Sequence, residues 1–104
     1  MSQWTTERVL ALAPDASSLS SARELASAAK WPSSGTQSHA VWGEAKGSGA
    51  KPYQTAVDLR EPAFKCSCPS RKFPCKHALG LMIRFAKGEI EAGSPPGWVT
   101  EWLE

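Results

Sequence analysis

The sequence predicts a small α+β domain: two helices first, a three-stranded antiparallel β-meander in the middle, and a further helix after it. Three observations carry this. Apolar residues recur at three- and four-residue steps between Leu19 and Ala29 and again between Ala78 and Lys87. Between those stretches lie short alternating segments bounded by Gly- and Pro-rich turns. All three cysteines of the 104-residue chain, with one of its two histidines, fall within Cys66 to His77, just ahead of the last long apolar stretch.

At this length and 41% hydrophobic content, the chain supports one small core. From Thr5 to Ala13 the pattern is helical, with Thr5 or Thr6 as N-cap, until Pro14 interrupts. A second helix is expected to begin near Asp15 or Ser17. It would present Leu19, Ala22, Leu25, Ala26 and Ala29 on one face, whose alanines permit close approach of another element. Completing the core is its ordinary role; a docking surface for a partner is the alternative. Trp31 to Gly35 reads as a loop.

Strands are expected at His39–Lys46, at Tyr53–Leu59 and at Ala63–Cys68, separated by Gly47-Ser48-Gly49 and by Arg60-Glu61-Pro62. Alternation puts Tyr53, Thr55, Val57 and Leu59 on one side of the second strand. So small a sheet must bury one face against the helices. The segment Gly47 to Lys51 lacks the Gly-Lys-Ser/Thr ending of a phosphate-binding loop, and His39, alone at a strand edge, suits a surface or capping role. Gly88 is placed to cap the helix that follows His77. Glu89 to Pro96 reads as a linker, and 97–103 as a short closing helix with Trp98 and Trp102 four residues apart on one face. That pair either packs back on the domain or contacts a further one. The organisation expected is 1–38 helical, 39–88 the cysteine-bearing unit, and 89–104 linker and Trp-containing tail. Leu103-Glu104 reads as a vector-derived remnant, and the chain as the front part of a longer protein.

The cysteine-rich stretch reads C-S-C-P-S-R-K-F-P-C-K-H from Cys66 to His77. In an extended run Cys66 and Cys68 point to the same face, and Pro69 cannot donate to a ladder, so the strand should stop there. Residues two apart on a helix lie about 200° around its axis, so Cys75 and His77 cannot both face one ion from inside a regular helix. Cys75 therefore belongs at or before the helix start, with His77 in the first turn. Three thiols and an imidazole so close together suit one tetrahedral zinc ion, with Cys66, Cys68, Cys75 and His77 as ligands. Chance clustering of buried thiols, a Cys66–Cys68 disulfide and iron–sulfur ligation are the alternatives. The disulfide leaves Cys75 and His77 unexplained, and iron–sulfur clusters usually take four cysteines. A zinc ion with all four positions filled by protein is structural, since a catalytic one keeps a position open.

C-x-C, a short spacer and C-x-H before an apolar helix resemble the SWIM zinc finger, as do the strand holding Tyr53 and the Cys-Lys-His followed by a small residue and leucines. The resemblance covers roughly Val41 to Lys87. That family occurs in bacterial proteins, Swi/Snf-type helicases, plant transposases and a vertebrate kinase. It implies a module that binds DNA or other proteins, with zinc held by Cys66, Cys68, Cys75 and His77.

Charge is unevenly placed. Residues 1–59 carry five basic and five acidic side chains, residues 60–87 seven basic against Glu61 alone, and residues 88–104 four glutamates and no base. Lys65, Arg71, Lys72 and Lys76 around the zinc loop are the candidate phosphate contacts, for DNA or RNA, and Phe73 is a candidate stacking residue. The competing reading makes these lysines and arginines counter-charge for a zinc–thiolate site of about −1. The helix after His77 is too apolar to lie exposed in a major groove, so binding would be backbone-directed and salt-sensitive. A protein partner or a purely structural role is the second reading. No paired-carboxylate or Ser-His-Asp constellation is present, so no enzyme and no small-molecule substrate is expected. No apolar run reaches membrane-spanning length, no signal peptide is evident, and thiols kept for zinc favour a reducing, cytoplasmic setting.

Overall fold

A computed structural model describes residues 4–46, 52–60, 62–67 and 74–103. The expectations for Cys68, Arg71, Lys72, Phe73 and the turn at Gly47–Gly49 fall outside them. The described residues form α1 (Thr6–Leu10), α2 (Ala16–Leu25), a 3-10 turn (Ala28–Lys30), β1 (Ser33–Gln37), β2 (Ala40–Ala45), β3 (Tyr53–Asp58), β4 (Ala63–Cys66), α3 (Lys76–Ala86) and α4 (Gly97–Leu103).

Both N-terminal helices start where side-chain oxygens can satisfy the first amides. Thr5 Oγ1 accepts from the Arg8 N–H at 3.2 Å, and Asp15 Oδ1 accepts from the Ser18 N–H at 2.7 Å. α1 is shorter than the expected span to Ala13. Pro14 disfavours helical geometry in the residue before it, and the chain tightens instead, the Leu12 N–H donating to Val9 O at 2.9 Å. α2 likewise stops at Leu25, and Ala29, expected on its apolar face, is exposed on the 3-10 turn.

The sheet has four antiparallel strands in the order β1-β2-β3-β4, not the three expected. The missed strand is Ser33–Gln37, whose first residues read as loop; it pairs with β2 from Ser33↔Glu44 to Gln37↔Ala40. Ser-Ser-Gly-Thr-Gln carries no apolar alternation because its neighbours supply the bulk. Gly35 lies under the Trp42 indole, where an added Cβ would come within 2.8 Å of Cζ2. Nor does the connecting turn advertise itself. Ser38 takes the left-handed conformation at φ 55°, without the Asn-Gly or Asp-Gly that usually marks a two-residue hairpin.

Alternation along β2 and β3 sends side chains into two separate layers. Val41, Ala45 and Val57 join Val9, Ala22 and the α3 residues Leu79, Leu81, Met82 and Ile83 in the main core. Ala40, Trp42 and Ala56 face the other way and pack with Val99, Trp98 and Trp102 of α4. The aromatic pair thus turns back onto this domain. The segment ahead of α4 is held too: the Thr36 N–H donates to Glu91 O and the Gly93 N–H to Thr36 O, at 3.1 and 3.0 Å. This lays a parallel bridge along the outer edge of β1, which leaves fewer unpaired groups on that edge.

α3 is the helix against which the rest is built. α1, α2, β2, β3 and β4 all contact it. Gly80 allows α2 to approach so closely that a Cβ there would lie 2.7 Å from Leu25 Cβ. Gly88, at φ 74°, closes the helix in the left-handed conformation expected of it.

Candidate metal centre

The candidate ligands arrive from two elements. β4 ends at Cys66, and α3 begins immediately after Cys75. Cys75 is the N-cap, extended at φ −77° and ψ 166°, and its Sγ accepts from the Ala78 N–H at 3.5 Å. His77 follows in the first turn and is buried. Leaving Cys75 outside the helix turns its side chain back toward the helix start, where a thiolate meets free amides and the positive end of the helix dipole.

The Sγ atoms of Cys66 and Cys75 and the imidazole nitrogen of His77 all lie within 4.8 Å of one another. Donors about 2.0–2.3 Å from one tetrahedral zinc ion stand roughly 3.5–3.8 Å apart, so this spacing is close to what a single ion requires. The protein around them leaves the matching vacancy in hydrogen bonding. His77 Nδ1 is buried and has no hydrogen-bond partner among the described residues. A buried polar atom left unmet costs about 1–3 kcal/mol, and coordination to a metal removes that cost. Two soft sulfurs and an imidazole are the donor set zinc prefers. The three residues fit one zinc ion, which when bound ties the end of the sheet to the start of α3.

Two further residues touch the ligands. Thr55 Oγ1 lies 3.1 Å from Cys66 Sγ, and the Tyr53 ring stands 5.0 Å from the His77 ring at an interplanar angle of 55°. The alternating pattern had placed Tyr53 and Thr55 on one face of a strand. Their proximity to the centre depends on strand register, which single-sequence patterning does not fix.

Of the candidate phosphate contacts, Lys65 and Lys76 are exposed, and each is the chain neighbour of a ligand. Two other bases of residues 60–87 are engaged elsewhere. Arg60 pairs with Asp58, its Nη2 2.8 Å from Oδ2. Arg84 is only 5% exposed; it donates to Glu89 O at 3.2 Å and to Ser34 Oγ at 3.4 Å. His39 is half-buried, and its carbonyl accepts from the Leu59 N–H at 2.7 Å, which holds the hairpin turn to the end of β3.

Residues 57–86 match the family model of the SWIM zinc finger. The matched segment runs from the end of β3 through α3 and contains the whole Cys66-to-His77 stretch, and it is narrower than the Val41-to-Lys87 span of the resemblance. No curated protein and no solved structure matches the chain. Among the described residues, no helix is long and apolar enough to cross a membrane.

Proposed function

We propose that this protein is a zinc-stabilised binding module that contacts nucleic acid, DNA foremost, through the basic residues around its zinc loop. Lys65, Arg71, Lys72 and Lys76 are the contacts, and Cys68 completes the zinc ligands with Cys66, Cys75 and His77. With four protein ligands the metal has no open position, so its role is structural and the module is not an enzyme. The observation that carries the reading is the charge of the segment holding the metal: seven bases against one acid in residues 60–87, in a chain balanced before it and acidic after it.

Burial of Arg84 takes one base out of this surface, while Lys65, Lys76 and Lys87 stay exposed. The reading that the module binds protein instead had two candidate surfaces, the alanine face of α2 and the Trp98/Trp102 pair. Both are partly used inside the fold, Ala22 in the main core and the half-buried tryptophans against the cluster of Ala40, Trp42, Ala56 and Val99. That favours nucleic acid without removing a protein partner as an outcome.

Fluorescence anisotropy of the zinc-loaded protein with DNA and RNA duplexes and single strands, across a salt series, tests the proposal. Each phosphate neutralised on duplex DNA should contribute about −0.9 to the slope of log K against log salt. Reversing Arg71 and Lys72 to glutamate should abolish binding and leave the circular dichroism unchanged. Absence of binding at low salt would make the patch counter-charge for the zinc site and overturn the nucleic-acid assignment.

A further inference from the structure

We infer that Thr55 is a positioning residue for the metal centre: its hydroxyl donates a hydrogen bond to the zinc-bound thiolate of Cys66. The bond fixes the sulfur and disperses part of its charge. Position 55 lies outside the segment that matches the zinc-finger model, so the assignment rests on this chain's own geometry and on the metal centre described above.

The sheet register produces the contact. Thr55 stands directly opposite Cys66 across β3 and β4. One step further out, the Ser67 N–H donates to Gln54 O at 3.0 Å and the Gln54 N–H to Ser67 Oγ at 2.9 Å, so the bonds between the strands fall at 54 and 67. The neighbouring pair, 55 and 66, is then of the non-hydrogen-bonded type, in which the two side chains approach most closely. β-Branching restricts Thr55 to few side-chain rotamers, and Oγ1 sits 3.1 Å from Sγ. Thr55 is fully buried, so water cannot substitute for the sulfur as partner to the hydroxyl. Direction follows from chemistry. A thiolate has no proton to give, so in the metal-bound state the hydroxyl is the donor and the sulfur the acceptor.

Groups that hydrogen-bond metal ligands orient them and tune the bond to the metal, and their loss typically weakens metal binding about 10–100-fold. The rival explanation is that Thr55 merely fills space in the sheet. Thr55→Val keeps the shape and removes the hydroxyl, whereas Thr55→Ser keeps the hydroxyl and removes a methyl. Zinc affinity of the full chain is measured by competition with a chromophoric chelator, and cobalt(II) is substituted to read the thiolate-to-metal charge-transfer band. Thr55→Val should bind zinc about 10-fold more weakly or worse, with the band moved to lower energy, and Thr55→Ser should match the wild type in both. Thr55→Ala against Thr55→Ser repeats the contrast should valine disturb the packing. Equal affinity and an unmoved band in Thr55→Val, or equal losses in the hydroxyl-bearing and hydroxyl-free variants, would overturn the assignment. A wild-type chain that takes up no zinc would instead remove the metal centre itself, and Thr55's role with it.

Discussion

Asp58 ends β3, and Arg60 folds back onto it two residues later. The carboxylate accepts from Arg60 Nε at 3.1 Å, from Nη2 at 2.8 Å and from the Arg60 backbone N–H at 3.0 Å. Hydrogen bonding from the guanidinium, against the upward push of burial, lowers the Asp58 pKa from 3.8 to about 2. A carboxylate whose folded pKa is depressed stabilises the fold above its unfolded pKa, and that stabilisation is lost as pH falls through the folded value. With the Arg60 side chain 61% exposed, solvent screening limits the effect to on the order of 1 kcal/mol. Asp58→Asn should therefore be less stable than the wild type by about that amount near neutrality. The gap should close as pH drops from 3.8 to about 2. Urea unfolding of both proteins at neutral pH and at falling pH, over the range in which the zinc-loaded fold persists, checks this.

At the scale of elements, the contact between α2 and α3 is close enough to be sensitive to a single methyl group. Gly80 would place a Cβ 2.7 Å from Leu25 Cβ and 3.2 Å from the Leu25 carbonyl. That carbonyl is also held by Trp31 Nε1 at 2.7 Å, so Leu25 cannot shift without disturbing a second bond. Alanine is the better helix former by about 1 kcal/mol, yet Gly80→Ala should lower stability, by about 1–3 kcal/mol, because overpacking outweighs propensity. Thermal unfolding would show it; a stability equal to or above wild type would mean that α2 gives way freely. The helix starts near Thr5 and Asp15 and the stop at Gly88 were legible beforehand because those residues act locally, whereas α1 and α2 both end earlier than their apolar patterns suggest. β1 was not legible: its five residues have no apolar rhythm, and what makes them a strand is Trp42 on the neighbouring strand and the bridge to Ala92.

For the whole molecule, the metal ties together parts that no single element could hold. α3 carries the main core through Leu79, Leu81, Met82 and Ile83, and its N-cap Cys75 and first-turn His77 supply two of the donors. Apparent zinc-binding energies in finger peptides, about 10–16 kcal/mol, match or exceed the 5–15 kcal/mol net stability of an ordinary domain. Chelation, or His77→Ala, should therefore unfold the β4–α3 half and expose the core around it. Loss of helical circular dichroism on adding chelator, restored by zinc, is the expected result. A His77→Ala protein with native thermal stability would show that the core suffices without the metal. The helices α1 and α2 lie in the same cluster as α3, so they too should feel the loss.

The sequence alone determined the chemistry of the centre. Spacing placed Cys75 at a helix boundary and His77 in the first turn, because a helix cannot turn both toward one ion. Residue types then chose zinc. It also narrowed the helix N-caps to one of two nearby residues and set the alternation of β3, since each depends on a few neighbouring residues. Only the tertiary structure decided the fourth strand, the return of α4 onto the second face of the sheet, the withdrawal of Arg84 from the basic surface, and the meeting of Thr55 with Cys66. Each of those depends on register or on a distant side chain. A one-residue slip of β3 against β4 would leave the sequence pattern nearly intact and carry Thr55 to the wrong face.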